Sequence, residues 1–302
     1  YGGHLYDQDM KQVDFKGYRV DCTTDFALQF LRTREQSKPF FLFLSYLEPH
    51  HQNNEKRFVG PDGSKERYKN YEVPGDLVDT QGDWRENYPD YYGAINSIDQ
   101  NLGRLREELK KLDLADNTLI IYTSDHGCHF RTRNNEYKRT VHEDAIRTPL
   151  VIYGPGFNGG KVVKDFAALI DIPSTIMAAA GLPVPKTMRG RPLQELVSGS
   201  AKGWRKDVLI QVSESHLGRG IRTDKWKYSI SAPNNSKGPI PGASFVYTEE
   251  CLYDLEKDPN ERNNLVSDPA YASVRKELAE LLVKRMASEA GEKAPEILPA
   301  KA

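Results

Sequence analysis

Ile95, Ile98, Leu102, Leu105, Leu109 and Leu112 recur at steps of three and four, the apolar stripe of an amphipathic helix. The break at "LADN" leads into "TLIIYTS" (118–124), a short continuous apolar run of the kind that forms a strand buried on both faces. The same two signals occur upstream. "TTDFALQFLRTRE" (23–35) begins with Thr and Asp for capping and carries apolar residues at helical spacing, and "KPFFLFLSY" (38–46) is apolar without alternation and predicts a buried strand. Downstream, "TPLVIYGPG" (148–156) predicts a strand closed by Gly-Pro-Gly. "DIPSTIMAAAGL" (171–182) predicts a helix with Pro in its first turn and Gly at its end. Strands alternating with helices in this way imply a mainly parallel α/β sheet flanked by helices. The polar stretch 51–90, rich in Gly, Pro, Asp, Asn and Tyr, reads as a long surface excursion beside a strand end, where function often resides.

The texture changes near residue 200. "KDVLIQVSE" (206–214), "GIRTDKWKYSIS" (220–231) and "ECLYDLEKD" (250–258) predict short strands, and "YASVRKELAELLVKRMA" (271–287) predicts a helix. The expected organisation is a large α/β domain over 1–200 and a smaller C-terminal domain over 201–302, an antiparallel sheet plus helix. A length of 302 residues accommodates both. The net charge of −1 gives no bulk attraction to nucleic acid or anionic lipid, and neither is expected as a partner. The longest apolar run, "PFFLFLSYL" (39–47), is too short to span a bilayer. Cys22, Cys128 and Cys251 form neither a disulfide framework nor a CxxC zinc pattern.

Ligands of open α/β sheets bind beyond the carboxyl ends of the strands. Two predicted strands end in polar groups there, "EPHH" (48–51) and "SDHG" (124–127), and adjacent strands would bring His50 or His51 near Asp125 and His126. "NNEYKRTVHEDAIRTP" (134–149) adds Lys138, Arg139, His142, Glu143 and Arg147. Carboxylate, imidazole, ammonium and guanidinium around one cleft suit an anionic substrate and a cation. Taken singly each has a plainer reading. An Asp at a strand end usually shapes a turn, and an isolated His such as His4 or His216 is ordinarily surface or core.

The order of these residues carries more than any one of them. The pattern Y-x-A-I-x-x-I-D-x-x-L-G-R-L, then D-N-T-L-I-I-Y-T-S-D-H-G, then K-x-x-x-x-E-x-x-I-R-x-P-L-V-I-x-G-P-G resembles the sulfatase family of the alkaline-phosphatase-like superfamily. "KPFFLFLSYLEPH", "IRTDKWKYS" and "LYDLEKDPNERNNL" extend the resemblance over about 18–287, and the Asp-His pair is similar to the subset that includes iduronate sulfatase. The resemblance implies a sulfuric ester hydrolase with the alkaline-phosphatase-like fold. It makes Asp125 and His126 metal ligands, most simply of one Ca2+, and Lys138 and His50 the groups that contact the sulfate. It gives Glu143 and Arg147 a structural role, orienting the segment that bears the Lys. It also implies a sulfated oligosaccharide or polysaccharide as substrate and a periplasmic or secreted location. His4, His216 and Arg219, with the segment 213–222, are candidates for recognising the sugar.

One departure is large. The family nucleophile is a formylglycine made from Cys or Ser in a [C/S]-x-P-x-R motif, and "CTTDF", "CHFRT" and "CLYDL" do not provide it. The family's N-terminal Asp-Asp metal pair and Gly-Lys-x-His segment are absent as well. The expectation is a C-terminal portion of a type I formylglycine sulfatase, inactive alone, whose site is completed by a missing N-terminal segment. Two alternatives stand beside it. A two-zinc phosphodiesterase of the same superfamily would need an Asp-x-x-x-His pair upstream, and His216 is the only histidine after His142. A non-catalytic glycan-binding relative would not need Asp125, His126, Lys138 and His50 together.

Overall fold

The computed structural model describes residues 1–51, 55–214, 216–233 and 242–300. The chain divides into two compact units, one of residues 1–74 and 81–118, the other of residues 75–80 and 119–302.

In the first unit, β1 (Gly3–Tyr6) and β2 (Gln12–Phe15) form an antiparallel hairpin. Its turn is shaped by Asp7, whose Oδ1 accepts from the backbone N–H of Asp9 and of Lys11, each at 2.9 Å. Helix α1 (Arg19–Thr33) buries Val20, Thr24, Ala27, Leu28 and Leu31 on one face. After it, the predicted strand 38–46 joins no ladder. Exposure alternates along this stretch with the period of an extended chain, leaving Phe41 66% and Phe43 79% exposed. A continuous apolar run becomes a buried strand only where neighbours pair with it, and no described strand does so here.

The polar excursion 51–90, of which residues 52–54 lie outside the described residues, is more ordered than its composition implies. It contains α2 (Ser64–Tyr68) and the first turns of α3 (Trp84–Lys111). Tyrosines supply the packing surface that the run otherwise lacks: Tyr71 lies 3.8 Å from Tyr92 between ring centroids, and Tyr88 4.4 Å. Further along α3, Ile98 and Leu109 are buried as the stripe predicts, together with the polar Ser97, Asn101 and Glu108. Glu108 accepts a bidentate pair from Arg32 of α1 at 2.7 and 2.8 Å, and Asn101 donates to Asp21 at 2.8 Å.

In the second unit, β3 (Ile120–Thr123) and β4 (Leu150–Tyr153) pair antiparallel, Ile120 opposite Tyr153. The 26-residue connection 124–149 holds the one-turn helix α4 (Glu143–Ile146). Helix α5 (Asp171–Ala179) starts at a fully buried Asp171, whose carboxylate accepts from the N–H of Ala168 and of Arg191 at 2.8 Å and from Arg205 Nη2 at 2.7 Å. The short α6 (Gln194–Ser198) follows.

The C-terminal sheet has the order β5 (Asp207–Val212), β6 (Gly218–Thr223), β7 (Trp226–Ser231), β8 (Val246–Asp254), β9 (Glu296–Leu298). The predicted strand 220–231 is thus a hairpin, its turn closed by Thr223 Oγ1 accepting from Trp226 N at 2.9 Å. β5 to β8 are antiparallel, and β9 lies parallel to β8, so the sheet is mixed. Helix α7 (Ala272–Arg285) seats Leu278 and Leu282 on Ile221, Tyr228, Ile230 and Leu252 in the main core. Residues 119–200 group with the C-terminal sheet in the second unit.

Candidate functional site

Strand β3 delivers Ser124, Asp125 and His126 at its carboxyl end. Ser124 Oγ donates to the His126 carbonyl at 2.8 Å, and Asp125 Oδ1 accepts the His126 backbone N–H at 3.0 Å, so the turn is closed by its own polar groups. Gly127 then runs against α4: its N–H donates to the Ala145 carbonyl at 2.8 Å, and a Cβ placed on it would lie 2.1 Å from the Asp144 carbonyl oxygen. Only glycine lets the strand end approach α4 this closely.

The imidazole of His126 is oriented from both sides. Nδ1 lies 2.9 Å from the Gly127 carbonyl, which can only accept, so Nδ1 carries the proton and Nε2 the lone pair. Lys138 Nζ stands 2.9 Å from Nε2 and donates to it. Asp125 Oδ2 lies 3.4 Å from the same nitrogen, on a side chain 84% exposed. A carboxylate oxygen and an imidazole lone pair that share one side call for positive charge between them. One hard oxygen donor and one borderline nitrogen donor at this spacing fit two positions of a divalent cation's shell. Among the described residues no cluster of three or more His, Cys, Asp or Glu could hold a metal.

A dense frame surrounds the pair. Arg133 donates from Nε to Asp144 Oδ2 at 3.1 Å and from its two terminal nitrogens to the Glu261 and Asn260 carbonyls at 2.7 and 2.8 Å. Glu143 Oε1 accepts from Arg222 Nε at 3.1 Å and lies 2.7 Å from Lys227 Nζ. Lys227, fully buried on β7, also lies 2.5 Å from Glu261 Oε1, and Glu261 Oε2 accepts the Glu143 N–H at 2.7 Å. Burial pushes the Glu143 carboxyl up, but Lys227 and Arg222 outweigh it and hold it below the ordinary range; at Glu261 burial wins and the carboxyl is raised. Burial, with Arg133 nearby, pushes His129 down to about 4. Burial, with Arg133 and Lys227, pushes His142 down to about 2, where its ring meets Thr140 and the Tyr253 hydroxyl.

Of the residues the sequence singles out, Asp125, His126 and Lys138 come together. His50 belongs to the first unit, where its ring stacks on His51 at 4.9 Å. His4 lies exposed on the β1 hairpin opposite Asp14, and His216 is partly buried, 4.0 Å from Glu250. Of the segment 213–222, Ser215 lies outside the described residues. Arg219, a candidate for sugar recognition, lies on β6 of the C-terminal sheet. It is 2% exposed, and its guanidinium donates to Glu292 Oε1 and the Gly218 carbonyl at 2.8 Å and to the Gly242 carbonyl at 2.5 Å. A guanidinium so committed has no donor facing solvent. Lys227, Glu261 and Arg133 were not read from the sequence as part of the frame. The one available sign was a lysine inside the strand "WKYSI", a position that buries its side chain and so demands a carboxylate.

The sequence profile of the family described as sulfatase matches residues 2–182, and that described as N-sulphoglucosamine sulphohydrolase, C-terminal, matches residues 135–288. The chain is 27% identical over 293 residues to an arylsulfatase of Clostridium perfringens, covering 86% of this chain and 56% of that protein. It is 25% identical over 369 residues to an N-acetylglucosamine-6-O-sulfatase of Bacteroides thetaiotaomicron, covering 93% and 64%. The chain therefore spans less than two thirds of the length of these relatives. Two solved structures share the fold. One is a Bacteroides fragilis protein described as a sulfatase, with TM-score 0.79, 23% identity and coverage of 94% and 62%. The other was determined in complex with its substrate D-glucosamine-2-N,6-O-disulfate, with TM-score 0.73, 23% identity and coverage of 95% and 73%. Among the described residues no helix is long and apolar enough to cross a membrane.

Proposed function

The chain belongs to the sulfatase family, and on that premise we propose that the protein hydrolyses sulfate esters of a sulfated carbohydrate, with Asp125 and His126 holding a divalent cation and Lys138 binding the ester. The observation that carries this reading is the convergence of Asp125, His126 and Lys138 at the end of β3, with the Lys138 ammonium 2.9 Å from His126 Nε2.

The chemistry follows from charge. In the displacement at sulfur, negative charge grows on the departing oxygen while the peripheral oxygens keep theirs. A bound divalent cation supplies Lewis-acid stabilisation of that charge. Asp125 and His126 hold their donor atoms on one side, with the His126 tautomer fixed by the Gly127 carbonyl. Lys138 presents a compact cation with three donors to a tetrahedral anion and can pass a proton toward the leaving oxygen. The formylglycine nucleophile is assigned to a part of the protein outside these residues. Ca2+ is the cation we favour, because the Asp125 carboxylate is a hard donor. A sulfated glucosamine or a polymer containing it is the substrate class, and a periplasmic or secreted location follows from such a substrate.

Sulfate release from sulfated glucosamine oligosaccharides, measured with the full-length protein, tests the reading. Asp125→Asn and Lys138→Ala are each expected to lower kcat/KM by about 10^2–10^3 while leaving the unfolding transition in place. Near-normal turnover in either folded variant would remove that residue from the site.

A further inference from the structure

We propose that Lys227 is a positioning residue, through which the C-terminal sheet fixes the segment that carries His126 and Lys138. The inference rests on the sulfatase reading for its catalytic consequence, and on geometry alone for its structural part.

Lys227 does not meet solvent, so its ammonium has no part in direct contact with an ester. It is enclosed by two carboxylates from separate stretches of chain, Glu143 at 2.7 Å on α4 and Glu261 at 2.5 Å after β8. The two are themselves joined, since the Glu143 N–H donates to Glu261 Oε2 at 2.7 Å, and Arg222 of the adjacent strand β6 adds a second cation to Glu143. A buried ammonium is tolerable only where such partners surround it, which makes the spacing of these groups stiff.

That stiffness passes to the site by two routes. Glu143 opens α4, and the Ala145 carbonyl of the same helix takes the Gly127 N–H, one residue beyond His126. Asp144 of α4 binds Arg133, which grips the Glu261 and Asn260 carbonyls. Residues 127–145 thus form a loop tied at its root and along its length to β6, β7 and the turn after β8. Lys138 is on this loop and His126 is at its root, and their 2.9 Å contact depends on where the loop is held. Displacements of an ångström in such a constellation change rates by orders of magnitude.

Three variants of the full-length protein test this: Lys227→Met, Lys227→Arg, and the charge-balanced Lys227→Met/Glu261→Gln. Each is checked for cooperative unfolding, for kcat and KM of sulfate release, and for the imidazole 15N signals of His126, with those of His4 as an internal control. The expected result is a folded double variant in which the His126 signal moves and His4 does not, with kcat down at least tenfold and KM changed less than threefold. Lys227→Arg should recover part of both effects. A folded double variant with wild-type His126 signal and wild-type kcat overturns the proposal, as does a moved signal with unchanged kcat. Collapse of all three variants assigns Lys227 to fold stability alone and also overturns it. A wild-type protein that releases no sulfate refutes the sulfatase reading instead, and the His126 signal still reports whether Lys227 positions the loop.

Discussion

His126 Nε2 has a single lone pair, and in this structure the Lys138 ammonium takes it. A divalent cation bound by Asp125 and His126 must have the same lone pair, so Lys138 and the cation compete for one atom. Replacing Lys138 by Met removes the competitor and a nearby positive charge, and should tighten cation binding while lowering turnover. Calorimetric titration of the folded variant with Ca2+ checks this, and weaker binding than wild type would contradict it. Two other histidines make a prediction about pH. His129 and His142 are held neutral by burial, at about 4 and about 2, against 6.5 when unfolded. The unfolded chain therefore binds more protons below pH 6.5, and stability present above that pH is lost as pH falls toward the folded values. The loss is about 2 kcal/mol per histidine by pH 5. Arg133, Glu136 and Lys227 face these rings, and the raised carboxyls of Asp144 and Glu261 act in the opposite sense. The comparison with His142→Gln isolates the histidine's part: its thermal midpoint should fall less steeply between pH 7 and 5 than that of wild type.

Asp171 makes the corresponding case for an element. It fixes the start of α5 by holding two backbone N–H groups and the Arg205 guanidinium with a side chain that solvent does not reach. Asp171→Ala leaves Arg205 and both N–H groups without their acceptor, and should cost about 3–5 kcal/mol, read as a drop in denaturation midpoint with unchanged slope. Elements of this kind were legible where local pattern and packing agree. Ile98 and Leu109 of α3 follow from periodicity, the strand 120–123 from a short apolar run, and the helix 272–285 was also predicted. The run 38–46 was misread, because apolar continuity reports what a segment could pair with and not whether a partner is there. The packing of Tyr68 of α2, and of Tyr71 beyond it, on Tyr92 of α3 was missed because Tyr counts as polar in a stretch full of Gly and Asp. At the site, Asp125, His126 and Lys138 were legible from their order, since they share one strand end and its loop. Lys227 and Glu261 were not, because a buried ion pair is specified by residues far apart in sequence that only the fold brings together.

For the whole molecule, the grouping of residues 119–200 with the C-terminal sheet changes what that sheet is for. Arg222, Lys227 and Glu261 all lie beyond residue 201, and each is bound to the α4 segment. A version ending at residue 200 leaves Glu143 without Arg222 and Lys227, and Arg133 without the Asn260 and Glu261 carbonyls, and should lose cooperative unfolding in its 119–200 part. Calorimetry of the truncated and longer proteins would show this as a missing transition, whereas an intact one would make the sheet a separable appendage. Gly127 brings the matter down to a single codon. With the Asp144 carbonyl 2.1 Å from where any β-carbon would sit, no side chain fits without driving the strand end away from α4, and His126 moves with it. A library encoding all twenty amino acids at that position, sorted for sulfate release, should return glycine and nothing else, which makes residue 127 the point where the lineage of this site has no neighbouring sequences to drift into.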